Sequence, residues 1–525
     1  MPDVIIIGGG VNGLVAGALL ARARLSTLIL ERQPVAGGAA VTGDLAPGFR
    51  VPTLSHALGP LHPAVVKALR LDRAGVRLVT PDPSLTTLGE KGRTIVFHRD
   101  PVLTAASIDR VSASDAGRWV EFVRTLERIA GVVGVTHRHI PPAIDQPVAR
   151  NWWQLLSFAR HARRLGRRDQ MRLVRWLPMS VADMTGEWFE HELLRAALAA
   201  HAIFGTLAGP RSGGTAARLL QRMADDPSPV GSGATAIGGP GALAQALVTI
   251  AEQAGATVRT GARVARILTV GSRAAGVVLE DGEEIPAESV VSAVDPRQTF
   301  LSLTDSAALP PSFVQRMRHF RARGVTAKVN LALASAPVFS ALSGDDVPLR
   351  GRLLIAPTLD YLDRAHDAAK YGDVSKAPWL EIAVPTMTDP SLAPDGQHVM
   401  SIYVHCVPRD LRRGSGSGMD ETVYRATMEA LAPHAPGLDA LVLSRQVITP
   451  DDLETVWGLT GGHIFHGEPS LDQSWVARPL LGWARYATPV DGLYLAGAGA
   501  HPGGGLTGLP GWLAAQTLRE DLRKK

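Results

Sequence analysis

Val4-Ile5-Ile6-Ile7-Gly8-Gly9-Gly10-Val11-Asn12-Gly13 is the stretch from which the rest of the chain can be interpreted. Four β-branched apolar residues in a row indicate a parallel strand covered on both faces, since a strand with one wet face would alternate. The glycines that follow fit the spacing GxGxxG. Gly8 permits a tight turn, Gly10 lets backbone approach a pyrophosphate, and Gly13 allows a helix to pack closely on the strand. The spacing predicts that helix over 14–24 and a second strand over 25–30. The free amides and dipole at the helix N-terminus suit an anion. Glu31 ends the second strand eighteen residues after Gly13, where a carboxylate can accept hydrogen bonds from a ribose. It would repel a ribose 2′-phosphate, which speaks against NADP; on these residues FAD and NAD both stay open. Arg32 flanks the unit, and Gly37-Gly38-Ala39-Ala40 supplies a second glycine turn able to bring amides toward the same phosphates.

A chain of 525 residues exceeds the size at which one core keeps growing, so two or three interlocked domains are expected. With 46% hydrophobic and 20% charged residues it is a globular chain rather than a disordered one. The net charge of +5 is too small to argue for nucleic acid by itself. Cys406 is the only cysteine, which excludes an intrachain disulfide, a redox-active cysteine pair and a zinc ribbon. The histidines show no compact metal-binding spacing, so no metal is expected. No basic segment precedes Val4, and no apolar run is long enough to span a membrane. A cytoplasmic protein is the expectation.

Near the other end, Gly492-Leu493-Tyr494-Leu495-Ala496-Gly497-Ala498-Gly499 is a strand closing in small residues. His501-Pro502-Gly503-Gly504-Gly505-Leu506-Thr507-Gly508 then leads into a helix ending near Lys524. A second strand-to-helix turn of this kind lets residues far apart in the chain hold one extended dinucleotide.

With these pieces in order, and with IGGPGALAQALVTIAEQAGATVRTGARVARI and VVSAVDPRQTFLSL between them, nearly the whole chain resembles the phytoene desaturase-type branch of the FAD-dependent amine oxidase superfamily. Gly458 to Gln473, with HPGGG at His501 to Gly505, is similar to bacterial relatives of pyridine nucleotide-disulfide oxidoreductase domain-containing protein 2. The resemblance implies non-covalent FAD. It implies an α/β fold (α+β overall): a Rossmann-like FAD-binding domain from 1–60, 226–299 and 451–525, with an interleaved substrate domain of mixed sheet and helices from 61–225 and 300–450. The cofactor-binding candidates are Gly8, Gly10, Val11, Asn12, Gly13, Glu31, Arg32, Gly38, Ala39, Val264, Gly497, Ala498, Leu506 and Thr507, with Val264 at the family position that meets the adenine. Family members carry Arg after the glycine pair, where this chain has Ala39 and Ala40.

In the middle of the chain a helix is expected after Gly241, a strand over 258–268, and a meander through Val277–Leu279, the Asp281-Gly282 turn and Val290–Val294. The substrate domain is expected to run helices first and sheet later. Residues 150–176 hold eight arginines against Asp169, interspersed with Trp152, Trp153, Phe158 and Trp176. This is either a cap with a solvated arginine face or a helix resting peripherally on anionic lipid; no nucleic-acid recognition module accompanies the arginines.

The isoalloxazine of a flavin takes a hydride at its face, so the chain needs mainly to position a substrate and exclude water. Catalytic candidates are His501 in the glycine turn, and His56 and Ser55, which the resemblance puts near the ring; each has an alternative reading as a hydrogen-bonded structural residue. His463, His466, Glu468 and Asp472 form a further cluster that reads as a network holding its loop. The expected activity is an FAD-dependent dehydrogenase or desaturase moving a hydride from a small hydrophobic or lipid-like substrate. An oxygen-using amine oxidase and a flavin-binding regulatory protein with little turnover are the alternatives.

Overall fold

Val4–Ile7 lies in the middle of a five-stranded sheet in the computed structural model, which describes residues 1–143, 149–342, 346–412 and 418–524. All four of its residues are buried, as the unbroken apolar run requires. The strand order is Leu493–Leu495, Ser289–Ser292, Val4–Ile7, Thr27–Leu30, Thr257–Arg259, and every pairing is parallel. One sheet thus joins the start, middle and end of the chain. The helices Val11–Arg22, Pro240–Gln253 and Leu509–Leu522 cover it.

Two glycines set how closely this layer packs. A Cβ at Gly13 would stand 2.0 Å from the Gly8 carbonyl oxygen, and one at Gly511 would stand 2.0 Å from that of Asn12. Gly13 therefore seats the first helix on its strand, and Gly511 seats the last helix on the first.

The expected strand over 258–268 is two strands. Thr257–Arg259 joins the parallel sheet, the chain turns at Gly261 with φ of 65°, and Val264–Val270 begins a separate antiparallel sheet with Arg273–Leu279 and Glu284–Pro286. The expected meander is corrected in the same way: Ser289–Ser292 leaves it and pairs with Val4–Ile7, because its four buried residues need cover on both faces.

The second layer is a seven-stranded sheet ordered Val442–Ile448, Thr326–Leu333, His398–His405, Leu380–Ala383, Arg352–Ile355, Leu85–Leu88, Thr94–Phe97. Only Arg352–Ile355 with Leu85–Leu88 pairs in parallel. The hairpin Leu85–Phe97 precedes the helices, so "helices first, sheet later" holds only after this early pair of strands. Helices between Pro101 and Asp225 form a second core around Trp119, Phe122, Trp176 and Phe189, and this core reaches the sheet through Leu354 and Tyr403. On the opposite face Met419–Leu431 packs through Val423 and Leu431.

Replacing Gly511 with Ala forces the first and last helices apart. The expected cost is about 1–3 kcal/mol, seen as a lower thermal midpoint by circular dichroism; an unchanged midpoint would contradict the backbone-to-backbone contact.

Candidate functional site

The two glycine bends meet. Gly10 begins the helix Val11–Arg22 and Gly508 begins Leu509–Leu522, neither helix is closed by a side chain of its capping residue, and a Cβ at Gly508 would lie 3.1 Å from Val15. Two positive helix ends so close together suit a shared anion. Asn12 Oδ1 is buried there without a partner. At the end of the second strand Glu31 accepts hydrogen bonds from Gly9 N at 2.7 Å and Gln33 N at 2.8 Å. Burial nevertheless pushes its carboxyl above the usual value, and its remaining lone pairs are free for a ribose hydroxyl.

Gly38 lies against Gly10, where an added Cβ would stand 3.0 Å from the Gly10 Cα. Arg32 turns outward and donates to the Thr455 carbonyl. Val264 is buried at the start of the antiparallel sheet, two residues beyond Ala262, whose N–H bonds the Glu31 carbonyl. Gly497 has no room for a side chain, since a Cβ would meet the Ala293 and Val294 carbonyl oxygens at 2.6 Å. The orphaned Asn12 oxygen, the paired helix ends and the Glu31 carboxylate fit a flavin adenine dinucleotide.

Beyond these bends lies a cavity of about 210 Å³. Ala39, Leu506 and Thr507 wall it on the nucleotide side, and Leu54, Leu58, Leu459, Ile464 and Phe465 give it an apolar lining. The far wall is polar, and the reason is period-two geometry. On one face of four neighbouring strands Lys328 pairs with Tyr403, Tyr403 pairs with Glu381, and Arg352 follows on the next strand. All four line the cavity. Arg352 Nη1 donates to Glu381 Oε2 at 2.8 Å. Lys328 Nζ lies 2.8 Å from His56 Nδ1 and 3.9 Å from the centre of the Tyr403 ring. Burial holds the Lys328 amine well below its ordinary value, with Glu381 opposing. Glu381 is held far down despite burial, first by Arg352 and then by His56.

Of the catalytic candidates only Ser55 lines the cavity, and its hydroxyl donates to the Ala57 carbonyl at 2.6 Å. His56 stands behind the wall between Lys328 and Glu381. His501 does not line the cavity; its Nε2 donates to the Thr136 carbonyl at 2.9 Å. His463, His466, Glu468 and Asp472 belong to a loop tied down by Arg321, Arg323 and the buried Arg478, which donates to the carbonyls of Phe465, Glu468 and Ala498. The cavity residues without a local signal are Lys328, Glu381, Arg352 and Tyr403. Their alternation with apolar neighbours was visible, but it resembles that of any half-wet sheet.

His56, His405, His463 and His501 are each held down to about 3, first by burial. They stay neutral in the folded protein, whereas the unfolded chain protonates them below 6.5. The unfolded state then binds more protons, so stability should fall as pH drops from 6.5 toward 3. Denaturant midpoints at about pH 7.5 and about pH 5 check this; equal midpoints would contradict it.

The description "Flavin containing amine oxidoreductase" matches residues 12–511. Pyridine nucleotide-disulfide oxidoreductase domain-containing protein 2 of Rattus norvegicus is 34% identical, over 99% of this chain and 94% of its own. Phytoene desaturase (neurosporene-forming) of Cereibacter sphaeroides is 25% identical, over 97% and 92%. The solved structure of wild-type putrescine oxidase bound to putrescine shares the fold with a TM-score of 0.61 at 15% identity, covering 100% of this chain and 99% of that one.

Proposed function

The chain belongs to the flavin-containing amine oxidoreductase family and is an FAD-dependent oxidoreductase, and from that premise we propose that it dehydrogenates a substrate with an apolar body and a polar end. When bound, FAD supplies the hydride acceptor. The observation that carries the reading is the single cavity walled by the nucleotide-side residues Ala39, Leu506 and Thr507, by apolar side chains, and by the polar sheet face of Lys328, Tyr403, Glu381 and Arg352.

The chain's own residues have separable tasks in this reading. Gly8 to Gly13, Glu31 and the bend at Leu506-Thr507 hold the nucleotide. The apolar lining excludes water from the reacting carbon. Lys328, whose amine burial holds well below its ordinary value, is placed to take up a proton released into the cavity, and His56 and Tyr403 fix its position.

A wholly apolar substrate would leave the polar wall dry, with the buried Arg352 Nε still lacking a partner among the described residues, which is costly. The hydrophobic substrate expected from the sequence is therefore narrowed to an amphipathic one.

Purified protein should be yellow and release FAD. Lys328→Met should keep its FAD but slow anaerobic flavin reduction by an amphipathic substrate at least about tenfold; wild-type reduction in that variant removes Lys328 from the chemistry. A flavin that no compound reduces favours the regulatory alternative.

A second proposal concerns the membrane. No described helix is long and apolar enough to cross one. In Arg167–Trp176, Asp169 is turned inward onto Arg128 and Arg172 and Arg175 pairs with Glu187, which leaves Arg167 and Arg168 outward beside Met171 and Val174, exposed by 66% and 69%. This basic, apolar-tipped face suits peripheral contact with anionic lipid. The side chains of 149–155, including Arg150, Trp152 and Trp153, lie outside the described residues. Vesicles containing phosphatidylserine should sediment the protein at low salt and release it at high salt; no salt-sensitive sedimentation rejects the contact.

A further inference from the structure

The helix Thr215–Asp225 turns its polar face inward. Leu219, Leu220 and Met223 pack into the second core, while Arg218, Gln221, Arg222 and Asp225, spaced along one side, line the cavity. Each guanidinium has one face fixed by an aromatic ring: Arg218 lies 5.5 Å from the centre of Phe465, and Arg222 lies 4.9 Å from that of Phe204. Their edges are then presented to the cavity.

Those edges are poorly satisfied. Arg218 Nε is buried with no partner, and Arg218 Nη1 reaches Gln221 Oε1 only at 3.4 Å. Arg222 Nε donates to His201 Nε2 at 3.1 Å, and its Nη2 lies 3.4 Å from Nδ1 of the same ring. Among the described residues, neither arginine has a carboxylate within ion-pair distance. The nearby acids point elsewhere: Asp225 bonds His137, Asp226 bonds Ser232 through Oδ2 while its Oδ1 is buried without a partner, and Glu381 bonds Arg352 and His56. Two enclosed guanidiniums one turn apart, each with five donors, lack an anion. Arg218 is pushed down to about 9, first by burial and then by Arg222 and Arg478, so it is still charged at neutral pH and would be relieved by a negative ligand.

Building on the amphipathic-substrate reading, we propose that Arg218 and Arg222 form a carboxylate-binding subsite and that the substrate is a monocarboxylate whose apolar body lies along Ile464, Phe465 and Leu459. A carboxylate matches the fork of a guanidinium. A phosphate dianion suits the cavity less well, because Asp225, Asp226 and Glu381 already offset most of its positive charge.

The test uses the full-length, FAD-loaded protein and hexanoate as probe, with hexylamine, hexanol and hexyl phosphate as comparators, read by perturbation of the flavin absorbance and by calorimetry. Hexanoate should bind in preference to all three. Arg218→Gln and Arg222→Gln should each weaken it by about tenfold or more, and Arg222→Lys should recover part of the loss, with FAD content unchanged throughout. Tighter binding of the amine, alcohol or phosphate overturns the proposal. So does wild-type hexanoate affinity in both glutamine variants, or loss of FAD from the folded Arg222→Lys protein, which would assign the pair to the cofactor. Because the readout is binding, its outcome is separate from that of the dehydrogenase reading. Arginine-dependent binding with a flavin that no carboxylate reduces would sink that reading and leave the subsite standing.

Discussion

The first and last helices touch backbone to backbone, with Gly511 leaving room for the Asn12 carbonyl, and the architecture of the site depends on that contact. It brings two glycine-started helix N-termini side by side. Alone, two such ends repel; an anion between them turns the repulsion into a clamp. The parallel sheet makes the arrangement permanent, because Leu493–Leu495 is stitched to Ser289–Ser292 and that strand to Val4–Ile7. The nucleotide site is therefore a product of chain closure rather than of a single loop.

A second constraint acts on the opposite wall. The strand Thr326–Leu333 is buried along its whole length, although Lys328 and Asn330 alternate with apolar residues. Asn330 bonds the Thr53 carbonyl and Gln446, while Lys328 meets His56 and the Tyr403 ring. Stability alone does not favour such an arrangement, since buried ion pairs can often be replaced by apolar groups without loss. The polar face gains its use from the cavity that it borders, where it can orient a ligand and hold or release a proton.

The same reasoning separates residues that touch the cavity from those that support it. His56 attracts notice because the family resemblance puts its loop near the flavin ring, and His501 because it sits in the glycine bend. Both rings are turned into the protein, one to brace Lys328 and Glu381 and the other to bond the Thr136 carbonyl. A loop position places a backbone near a site, but the rotamer and its neighbours decide where the ring goes. Arg218 and Arg222 show the converse. On an amphipathic helix their face resembles a solvated one, and only the sheet packed across from it makes that face the wall of a cavity.

The sequence by itself determined the nucleotide-binding turn, the acid that follows it, the second glycine bend and the family, because those features are set by local backbone requirements at fixed spacing. It also determined which residues alternate along Thr326–Leu333 and Thr215–Asp225. Only the tertiary structure decided that these polar faces point at each other across an enclosed space instead of at water. Periodicity specifies that a face is polar; what covers it depends on strands and helices far away in the chain, whose approach no local pattern encodes.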